Sequence, residues 1–578
     1  MNTLLSLLHQ KVAAAMQAAF LLPPEELDAV VVPCMQEQFG HYQCNSALKL
    51  AKTLKISPHQ VAKQILAHFD SSICEKIEVA GAGFINFTLS SHFLSEEITQ
   101  QQNDRLLGAS PPEKQERIIV EFSSPNVAKE LHIGHIRSTI IGDSIARLLE
   151  FLGYDVLRLN HIGDWGTQFG MLITYMKQAV PDVLRGETPT TLEHLMKWYR
   201  ESKKEFDLNP DFKKRAQLEV VQLQSGDSET LQYWNLLCEI SRIGFQEIYD
   251  LLDVNIQERG ESFYNPFLKE VVDAFEQKGL VQISDGAKCL YLDGFKNREG
   301  EPLPMIIQKS DGGYNYDTTD LAAFRHRIFV EKADRIIVLT DTGQSLHFQM
   351  LVAAIEKIGW LDPKKLRFDH VGFGLVLGPD GKKFKTRSGT TEKLIDLLIE
   401  AETQAKSIVQ ERLPDATPEE LEQLAHVIGI GAVKYADLSS CRTKDYTFSY
   451  DRMLRFEGNT AVFLLYAYVR INGIKKKAGI SLNERILHPI LLQHPSEIGL
   501  ALHIRRFGET VDAIVSDLYP HRLTEYLYTL AEKFNLFFRD CQVVGSKEEK
   551  SRLALCDLTS RLLKQGLEIL GLKTVERM

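Results

Sequence analysis

Two histidines that flank a glycine form the segment best suited to handling phosphate. His132, Gly134 and His135 follow a strand pattern and open a helix pattern, where free backbone N–H groups and a partial positive charge attract anions. The imidazoles can face one side of the first turn and hydrogen-bond phosphate oxygens, more strongly if protonated. Gly134 leaves room for a flat base against the backbone. The alternative is a pair of histidines that only cap the helix.

This H-x-G-H pattern is rare. With 17 His and 37 Gly in 578 residues, it is expected about 0.03 times by chance. A second segment, His161–Asp164, repeats its first three letters but ends in Asp and has no clear helix start. We assign that segment no phosphate-binding role.

A second candidate is the glycine-flanked basic loop Gly378–Gly389, which contains Lys382, Lys383, Lys385 and Arg387. Glycines give such a loop a hinge, and its cations suit a transferring phosphoryl group or a leaving pyrophosphate. A solvated lysine-rich turn is the alternative. The position of the loop after a strand pattern and before a helix pattern favours a functional role.

The elements that must position the histidines form one strand–helix–strand unit. Apolar runs predict strands at 118–122 and 156–159, and apolar spacing predicts a helix over 136–152 that ends at Gly153. Parallel strands joined by a helix build an α/β sheet. Two later strands are predicted to join the same sheet, at 336–339 and 374–377.

Four blocks are predicted along the chain, with an insertion in the second. Strand and helix patterns mix in the first, and a linker composition follows it. The sheet-forming block contains a charged, mainly helical insertion, and the helical period dominates the rest. The blocks are 1–108, 109–390 with the insertion at about 171–300, a connecting helical region at 391–450, and 451–578.

The amino-acid composition restricts the class of protein and the cellular compartment. The net charge is −10, which excludes a uniformly basic coat protein but not a local basic face. The 8 cysteines include no C-x-x-C pair, so no zinc or redox motif is indicated. The opening residues lack a basic start, and the longest apolar run, Ala461–Val469, is about half a membrane span. The sequence thus predicts a soluble cytoplasmic protein.

Long stretches of the chain resemble arginyl-tRNA synthetases. Class I aminoacyl-tRNA synthetases pair an H-I-G-H signature after the first Rossmann strand with a K-M-S-K-S loop after the last, and the two segments above resemble that pair. The closer match to the arginyl enzymes rests on Ser123–Asp143, Leu159–Gly170 and Glu576–Met578. The resemblance covers the whole chain.

The resemblance implies a multidomain α/β protein with a Rossmann-type parallel-sheet catalytic core and helical insertions. Residues 1–108 would form an α+β additional domain that binds the tRNA elbow, and 451–578 an all-α anticodon-binding domain. It implies a monomer whose substrates are tRNA(Arg), L-arginine, and ATP with Mg²⁺. No tightly bound metal or organic cofactor and no membrane are expected.

The family activity that this implies is arginine–tRNA ligation. ATP and arginine form arginyl-adenylate with release of pyrophosphate, and the arginyl group then passes to the 3′ end of the tRNA. Arginyl enzymes typically need bound tRNA before they activate the amino acid. The catalytic set implied by the resemblance is Lys129, His132, Gly134, His135, Lys383, Lys385 and Arg387.

The basic loop lacks the second lysine of the class pattern. Aligning it on K-M-S-K-S puts Thr386 where the second lysine belongs. In many arginyl enzymes a lysine just before the histidine signature is thought to replace it, and Lys129 occupies that place. One strong cation near the α-phosphate suits adenylate formation.

A guanidinium is a planar cation with five hydrogen-bond donors, and a carboxylate is its best-matched partner. Tyr316 and Asp320, four residues apart in a helix pattern, can share one face. By resemblance Asp320 binds the guanidinium and Tyr316 walls the pocket. Asn126 and Asn160 would bind the amino and carboxylate ends of arginine, and Gln344 would add a contact. The alternative is a helix N-terminal acid and a core tyrosine.

Because the chain is acidic overall, RNA must bind a surface that is locally basic. By resemblance the C-terminal helices bind the anticodon, with Tyr466, Tyr468, Arg470 and Met578 as candidate contacts. An aromatic ring that stacks an unpaired base contributes about 1–3 kcal/mol. Aromatic residues at helical spacing are also common in cores, which is the alternative for either tyrosine.

Two other functions remain open at this point. One is another adenylyltransferase of the H-x-G-H superfamily that acts on a small acid without tRNA. The other is a synthetase-like RNA-binding or regulatory protein without activity. The C-terminal helical block argues against the first, and the intact Lys129, His132, Gly134, His135 and Lys383 argue against the second.

Overall fold

The computed structural model describes residues 2–34, 36–378, 380–382 and 393–578, which form two compact units. The terminal unit consists of Met1–Pro112, Arg455–Ile569 and Lys573–Met578. The central unit consists of Glu113–Leu454 and Leu570–Leu572. The terminal unit therefore contains nearly all of the predicted first and last blocks.

The N-terminal part of the terminal unit is α+β, as the resemblance implied. Its elements are α1 (Leu4–Ala19), β1 (Val31–Pro33), β2 (Tyr42–Cys44), α2 (Ser46–Leu54), α3 (Pro58–His68), β3 (Cys74–Ala80), β4 (Phe84–Leu89) and α4 (Ser91–Gln101). The strands pair antiparallel in the order β1-β2-β4-β3. Ile85, Phe87 and Leu89 of β4 are buried and anchor the sheet in the core.

The first half of the central unit begins with a strand, a crossover helix and a second strand. Its elements are β5 (Arg117–Glu121), α5 (Ile133–Leu152), β6 (Asp155–Asn160), α6 (Thr167–Ala179), α7 (Pro181–Leu184), α8 (Leu192–Leu208), α9 (Pro210–Ser225), α10 (Ser228–Leu251), β7 (Gln257–Glu258) and α11 (Leu268–Gln277). The predicted insertion is thus helical over most of its length.

The second half completes the sheet. Its elements are β8 (Val281–Ser284), β9 (Ala287–Lys296), β10 (Pro302–Gln308), α12 (Tyr316–Phe329), β11 (Arg335–Asp341), α13 (Ser345–Ile358), β12 (Arg367–Phe373), β13 (Val376–Leu377), α14 (Leu394–Arg412), α15 (Pro418–Leu438), β14 (Tyr446–Thr447) and α16 (Tyr450–Met453). Five strands run parallel in the order β12-β11-β5-β6-β7, which confirms the Rossmann-type core. The end of the insertion contributes an antiparallel sheet, β10-β9-β8, that the helical pattern did not indicate.

The central strand β5 and the helix α5 follow from their sequences. Ile118, Ile119 and Val120 are fully buried, as expected of a strand covered on both faces. The helix begins at Ile133, three residues before the predicted start, because His132 caps it. It ends at Gly153, whose φ of 102° is the left-handed conformation that favours glycine.

The prediction that residues 374–377 join the parallel sheet was wrong. The edge strand is β12, and the chain leaves the sheet at Gly374, where a Cβ atom would lie 2.6 Å from the Asp445 carboxylate. Val376 and Leu377 form β13, which pairs with β14 in a separate two-stranded ribbon. An apolar run predicts a strand but does not identify its partner.

A buried ion pair holds α5 against α15. The Arg137 guanidinium lies 3.3 Å from the Asp437 carboxylate, donates to the Lys444 carbonyl oxygen at 2.9 Å and stacks over the Tyr446 ring. Removing one partner of a buried pair costs about 3–5 kcal/mol. We expect Arg137→Met to lower the free energy of unfolding in urea by about that amount, and Arg137→Met/Asp437→Leu to recover part of it. A double variant less stable than the single one would contradict this expectation.

The C-terminal part of the terminal unit is all α, as the resemblance implied. Its helices are α17 (Ala461–Lys477), α18 (Pro495–Arg505), α19 (Phe507–Asp517), α20 (His521–Asp540) and α21 (Glu549–Ile569). Buried Arg505 pairs with Glu97 at 2.8 Å, and the Tyr42 hydroxyl donates to Glu509 at 2.6 Å, so both parts of this unit share polar contacts. None of the described helices of the protein is long and apolar enough to cross a bilayer.

Candidate active site

The candidate site lies at the carboxyl ends of three neighbouring parallel strands. β5 leads into the loop before the histidines, β6 ends at Asn160 beside His161, and β11 ends at Asp341, just before the turn that contains Gln344. Ligands bind at this edge of open parallel sheets, where the crossover connections diverge to opposite faces. The sheet therefore collects residues that are far apart in the sequence.

The two histidines of the signature cap the helix and stack on each other. Nδ1 of His132 accepts the Gly134 N–H at 3.0 Å, and Nδ1 of His135 accepts the His132 N–H at 3.1 Å. Their ring centres are 4.0 Å apart. Because both Nδ1 atoms are acceptors, each neutral ring has its proton on Nε2 and can donate from there. Capping and phosphate binding are therefore compatible.

Both histidines are neutral at physiological pH. Burial and the charge of Lys129 lower the pKa of His132. Burial and the neighbouring His132 ring lower the pKa of His135 to about 3. The stronger, charged hydrogen bonds that protonated rings would offer are thus not formed in the free protein.

The loop between β5 and α5 has an unusual backbone. Ser123, Ser124 and Ala128 have φ angles of 68°, 48° and 60°, which residues with side chains rarely adopt. The Ser123 N–H donates to Ser138 Oγ at 2.9 Å, and the Ser124 N–H donates to Asn160 Oδ1 at 3.0 Å. These bonds stabilise the path of the loop toward the histidines.

Lys129, at the end of this loop, has an exposed side chain. Its Nζ lies 5.9 Å from the centre of the Tyr199 ring. Within the part of the chain that the structure describes, it forms no ion pair. Its charge is therefore available to an anion.

Only the beginning of the basic loop is described, Gly378 and Asp380–Lys382. Three of its predicted cations lie outside the described residues: Lys383, Lys385 and Arg387. After the loop, Lys393 forms an isolated antiparallel bridge with His132, and the Leu394 N–H donates to the Leu131 carbonyl oxygen at 3.0 Å. The chain that follows the loop thus runs beside the histidine signature.

An acidic slot surrounds Asp320 on α12. Its Oδ2 lies 2.6 Å from Nε2 of His347, and its Oδ1 lies 3.6 Å from Nε2 of His161. The other ring nitrogen of His347 lies 3.2 Å from Oδ1 of Asp317. Burial would lower the pKa of His347, but its hydrogen bonds to both carboxylates outweigh burial and raise the pKa to about 9. The imidazole is therefore a cation at neutral pH.

Glu261 is a second acidic group of this slot. Burial, together with the charges of Asp320 and Asp164, raises its pKa to about 8. Asp164 itself accepts the Ser262 N–H at 2.8 Å and the Ser262 hydroxyl at 2.6 Å. At neutral pH Glu261 is mostly protonated, so a bound cation would favour its ionisation.

Three of the residues predicted to bind arginine are exposed near this edge. Tyr316 is 60% exposed, and its ring centre lies 5.1 Å from that of His347, so it can wall the slot. Asn126 lies in an isolated parallel bridge with Gly163. Gln344 lies in the turn just before α13, the helix that contains His347.

Asn160, the fourth, is placed differently. Only 3% of it is exposed, and both ends of its amide are engaged. Its Oδ1 accepts the Ser124 N–H at 3.0 Å, and its Nδ2 donates to the Tyr249 hydroxyl at 3.1 Å. In the free protein it supports the strained loop, and a direct contact with arginine stays a prediction.

Sequence reasoning missed four groups of the slot, which are His161, Glu261, Asp317 and His347. His161 belongs to the shorter repeat of the histidine signature, to which we assigned no phosphate role, and the structure places its ring beside Asp320. Both of its ring nitrogens are buried without a hydrogen-bond partner among the described residues. Glu261 and His347 carry no local signal, since only the tertiary fold brings them to Asp320.

The residues predicted to contact tRNA lie in the terminal unit. Tyr466 is exposed and Tyr468 is half-buried. The Arg470 guanidinium lies 4.4 Å from the centre of the Phe538 ring, which gives an exposed cation–aromatic pair on α17 and α20. Met578 is half-buried.

The fold and site define a class I tRNA synthetase. Residues 97–450 match the family model for tRNA synthetases class I (R), catalytic domain. Residues 464–578 match the DALR anticodon binding domain, and 6–89 match the arginyl tRNA synthetase N terminal domain. The chain belongs to the arginyl-tRNA synthetase family.

Full-length relatives agree with this assignment. The chain is 59% identical to the arginine–tRNA ligase of Protochlamydia amoebophila and 50% identical to that of a Nostoc species, each over 100% of both chains. It is similar to the solved arginyl-tRNA synthetase of Plasmodium falciparum, with a TM-score of 0.89 and 35% identity over 100% of both chains. The Thermus thermophilus arginyl-tRNA synthetase, at 24% identity and a TM-score of 0.81 over 100% of both chains, shares the fold.

Proposed function

We infer that this chain is an arginine–tRNA ligase, and we propose that it works in two steps. A carboxylate oxygen of L-arginine attacks the α-phosphorus of ATP, the α–β phosphoanhydride bond breaks, and pyrophosphate leaves. A ribose hydroxyl at the 3′ end of tRNA(Arg) then attacks the arginyl carbonyl carbon, and AMP leaves with the bonding electrons. ATP enters as its Mg²⁺ complex.

One observation carries the proposal. Donors that suit a phosphate and an acidic slot that suits a guanidinium lie at the carboxyl ends of adjacent strands of one parallel sheet. This arrangement supports a reaction that joins a nucleotide to arginine.

The histidine signature is proposed to hold the phosphates of ATP. His132 and His135 would donate from Nε2 to phosphate oxygens, where charge develops in the transition state. Lys129 would add a positive charge near the α-phosphate, and Gly134 would let the base approach the backbone. We predict that the basic loop also adds positive charge near the phosphates, through Lys383, Lys385 and Arg387.

The acidic slot is proposed to bind the guanidinium. Oδ1 of Asp320 accepts no hydrogen bond from the described residues, and His161 Nε2 lies 3.6 Å from it, so it is open to the guanidinium. Glu261 would offer a second acceptor once ionised. Two carboxylates on different elements suit the two edges of a planar guanidinium.

The terminal unit is proposed to bind the tRNA. The segment 6–89 would contact the elbow, and Tyr466, Tyr468, Arg470 and Met578 would contact the anticodon region. Removal of the cation–aromatic pair between α17 and α20 by Arg470→Ala would then raise the KM for tRNA without changing that for arginine.

Exchange of pyrophosphate into ATP tests the function and its alternative. We expect exchange that depends on arginine among the twenty amino acids and that requires tRNA(Arg). Exchange with another small acid in the absence of tRNA would favour the other adenylyltransferase, and no exchange with any amino acid would contradict both.

Arginine binding should depend on pH through Glu261. Because the guanidinium favours the ionised form of a group whose pKa is about 8, the arginine KM should rise about tenfold per pH unit below that value. The KM should level off above it. Exchange assays from pH 6 to 9 would measure the slope, and Glu261→Gln should raise the KM and flatten the profile. An unchanged slope in that variant would assign the titration to another group.

A further inference from the structure

The position of His347 in the slot determines its protonation. Its two ring nitrogens lie 2.6 Å from Asp320 Oδ2 and 3.2 Å from Asp317 Oδ1. The first contact is a hydrogen bond and the second an ion pair, and an imidazole that faces a carboxylate on both sides is stabilised with a proton on each nitrogen. His347 is therefore a fixed cation inside a site whose substrate is also a cation.

The two carboxylate oxygens of Asp320 differ in their hydrogen bonding, because only one of them bonds to His347. Oδ2 is engaged at 2.6 Å, whereas Oδ1 accepts no hydrogen bond from the described residues and lies 3.6 Å from Nε2 of His161, beyond hydrogen-bonding range. We propose that His347 is a positioning residue, which fixes the Asp320 carboxylate in one orientation and leaves Oδ1 as the acceptor for the guanidinium of arginine. This inference rests on the proposed function.

The charges of the slot support this role. Asp317 and Asp320 carry two negative charges and His347 one positive charge, so the imidazolium offsets part of the negative charge beside the guanidinium site. Without the imidazolium, the two carboxylates, one helical turn apart, would repel each other. The Asp320 carboxylate would then be free to turn away, which would weaken its charge-assisted bond to the guanidinium.

The surroundings restrict the ring of His347. It projects from the first turn of α13, its side chain is only 15% exposed, and the edge of the Tyr316 ring packs against it. Its raised pKa agrees with the two flanking carboxylates. A half-buried cation held between two carboxylates can keep one of them in a single rotamer, which a freely moving surface histidine cannot do.

Substitution by glutamine tests the positioning role in the full-length protein with ATP, arginine and tRNA(Arg). We expect His347→Gln to raise the arginine KM about ten- to hundredfold, the range set by a hydrogen bond to a charged group. The kcat at saturating arginine should stay within about threefold and the ATP KM should not change. His426→Gln is the matched control, because His426 also pairs with a carboxylate, Glu402, at 2.6 Å but on helices outside the slot.

A second variant keeps the test informative if His347→Gln folds poorly. Asp317→Asn keeps a side chain of the same size but removes one of the two carboxylates that pair with His347. It should raise the arginine KM by a few fold, and the combined variant should show less than the sum of the two effects, since both act through Asp320.

The outcomes separate this inference from the proposed function. Wild-type protein without arginine-dependent exchange would overturn the function itself. If the wild type is active but His347→Gln leaves the arginine KM unchanged or lowers it, only the inference is overturned. Equal losses in kcat and in ATP binding would overturn it as well, because they would indicate general damage to the fold.

Discussion

Replacing Asp320 with alanine is expected to raise the arginine KM by about two to three and a half orders of magnitude. The truncation removes the proposed acceptor of the guanidinium and also leaves His347, 2.6 Å away, without its main partner. Losing one member of a buried charged pair costs about 3–5 kcal/mol. Each tenfold change in binding corresponds to about 1.4 kcal/mol, which gives the expected range.

Titration of arginine in the exchange assay, at saturating ATP and tRNA, measures this effect. Asp273→Ala is the control, because Asp273 on α11 is an acid whose ion pair with Lys269 is exposed. Its arginine KM should equal that of the wild type. An Asp320→Ala protein with the wild-type KM would show that the slot around Asp320 does not bind the guanidinium.

Replacing His135 with asparagine is expected to lower kcat about 10²- to 10³-fold while leaving the fold intact. Asparagine keeps an acceptor near the place of Nδ1, which accepts the His132 N–H at 3.1 Å, but it has no atom in the place of Nε2. The helix cap is thus preserved and the proposed donor to the phosphate is lost. Donors aimed at developing charge typically contribute this much to kcat.

The thermal unfolding midpoint and the exchange rate of this variant separate the two interpretations of the histidine signature. A normal midpoint with a low kcat supports phosphate binding, and a normal kcat would leave helix capping as the whole role. The pKa of His135, lowered to about 3, adds a further expectation. Its ring should stay neutral from about pH 5 to 9, so its own titration should produce no change in rate there.

The local parts of the central unit were predictable from the sequence. The apolar spacing predicted α5 and the strand before it, and Gly153 predicted where the helix ends. Both signals act between residues that are near neighbours in the chain. The start of α5 was misplaced because a histidine cap is not among the usual cap residues, Ser, Thr, Asp and Asn. The strand at 374–377 was assigned to the wrong sheet because pairing partners are chosen by tertiary packing.

The sequence by itself identified the signature His132–His135 and the family, because contiguous motifs and long matching stretches can be recognised without coordinates. It also predicted Asp320 as a ligand of arginine, through the resemblance to the family. Only the tertiary structure decided how those groups are charged and oriented. Burial makes His135 neutral, two carboxylates make His347 a cation, and burial together with neighbouring acids keeps Glu261 mostly protonated at neutral pH. These properties depend on solvent exclusion and on charges within a few ångströms, which chain segments distant in sequence supply.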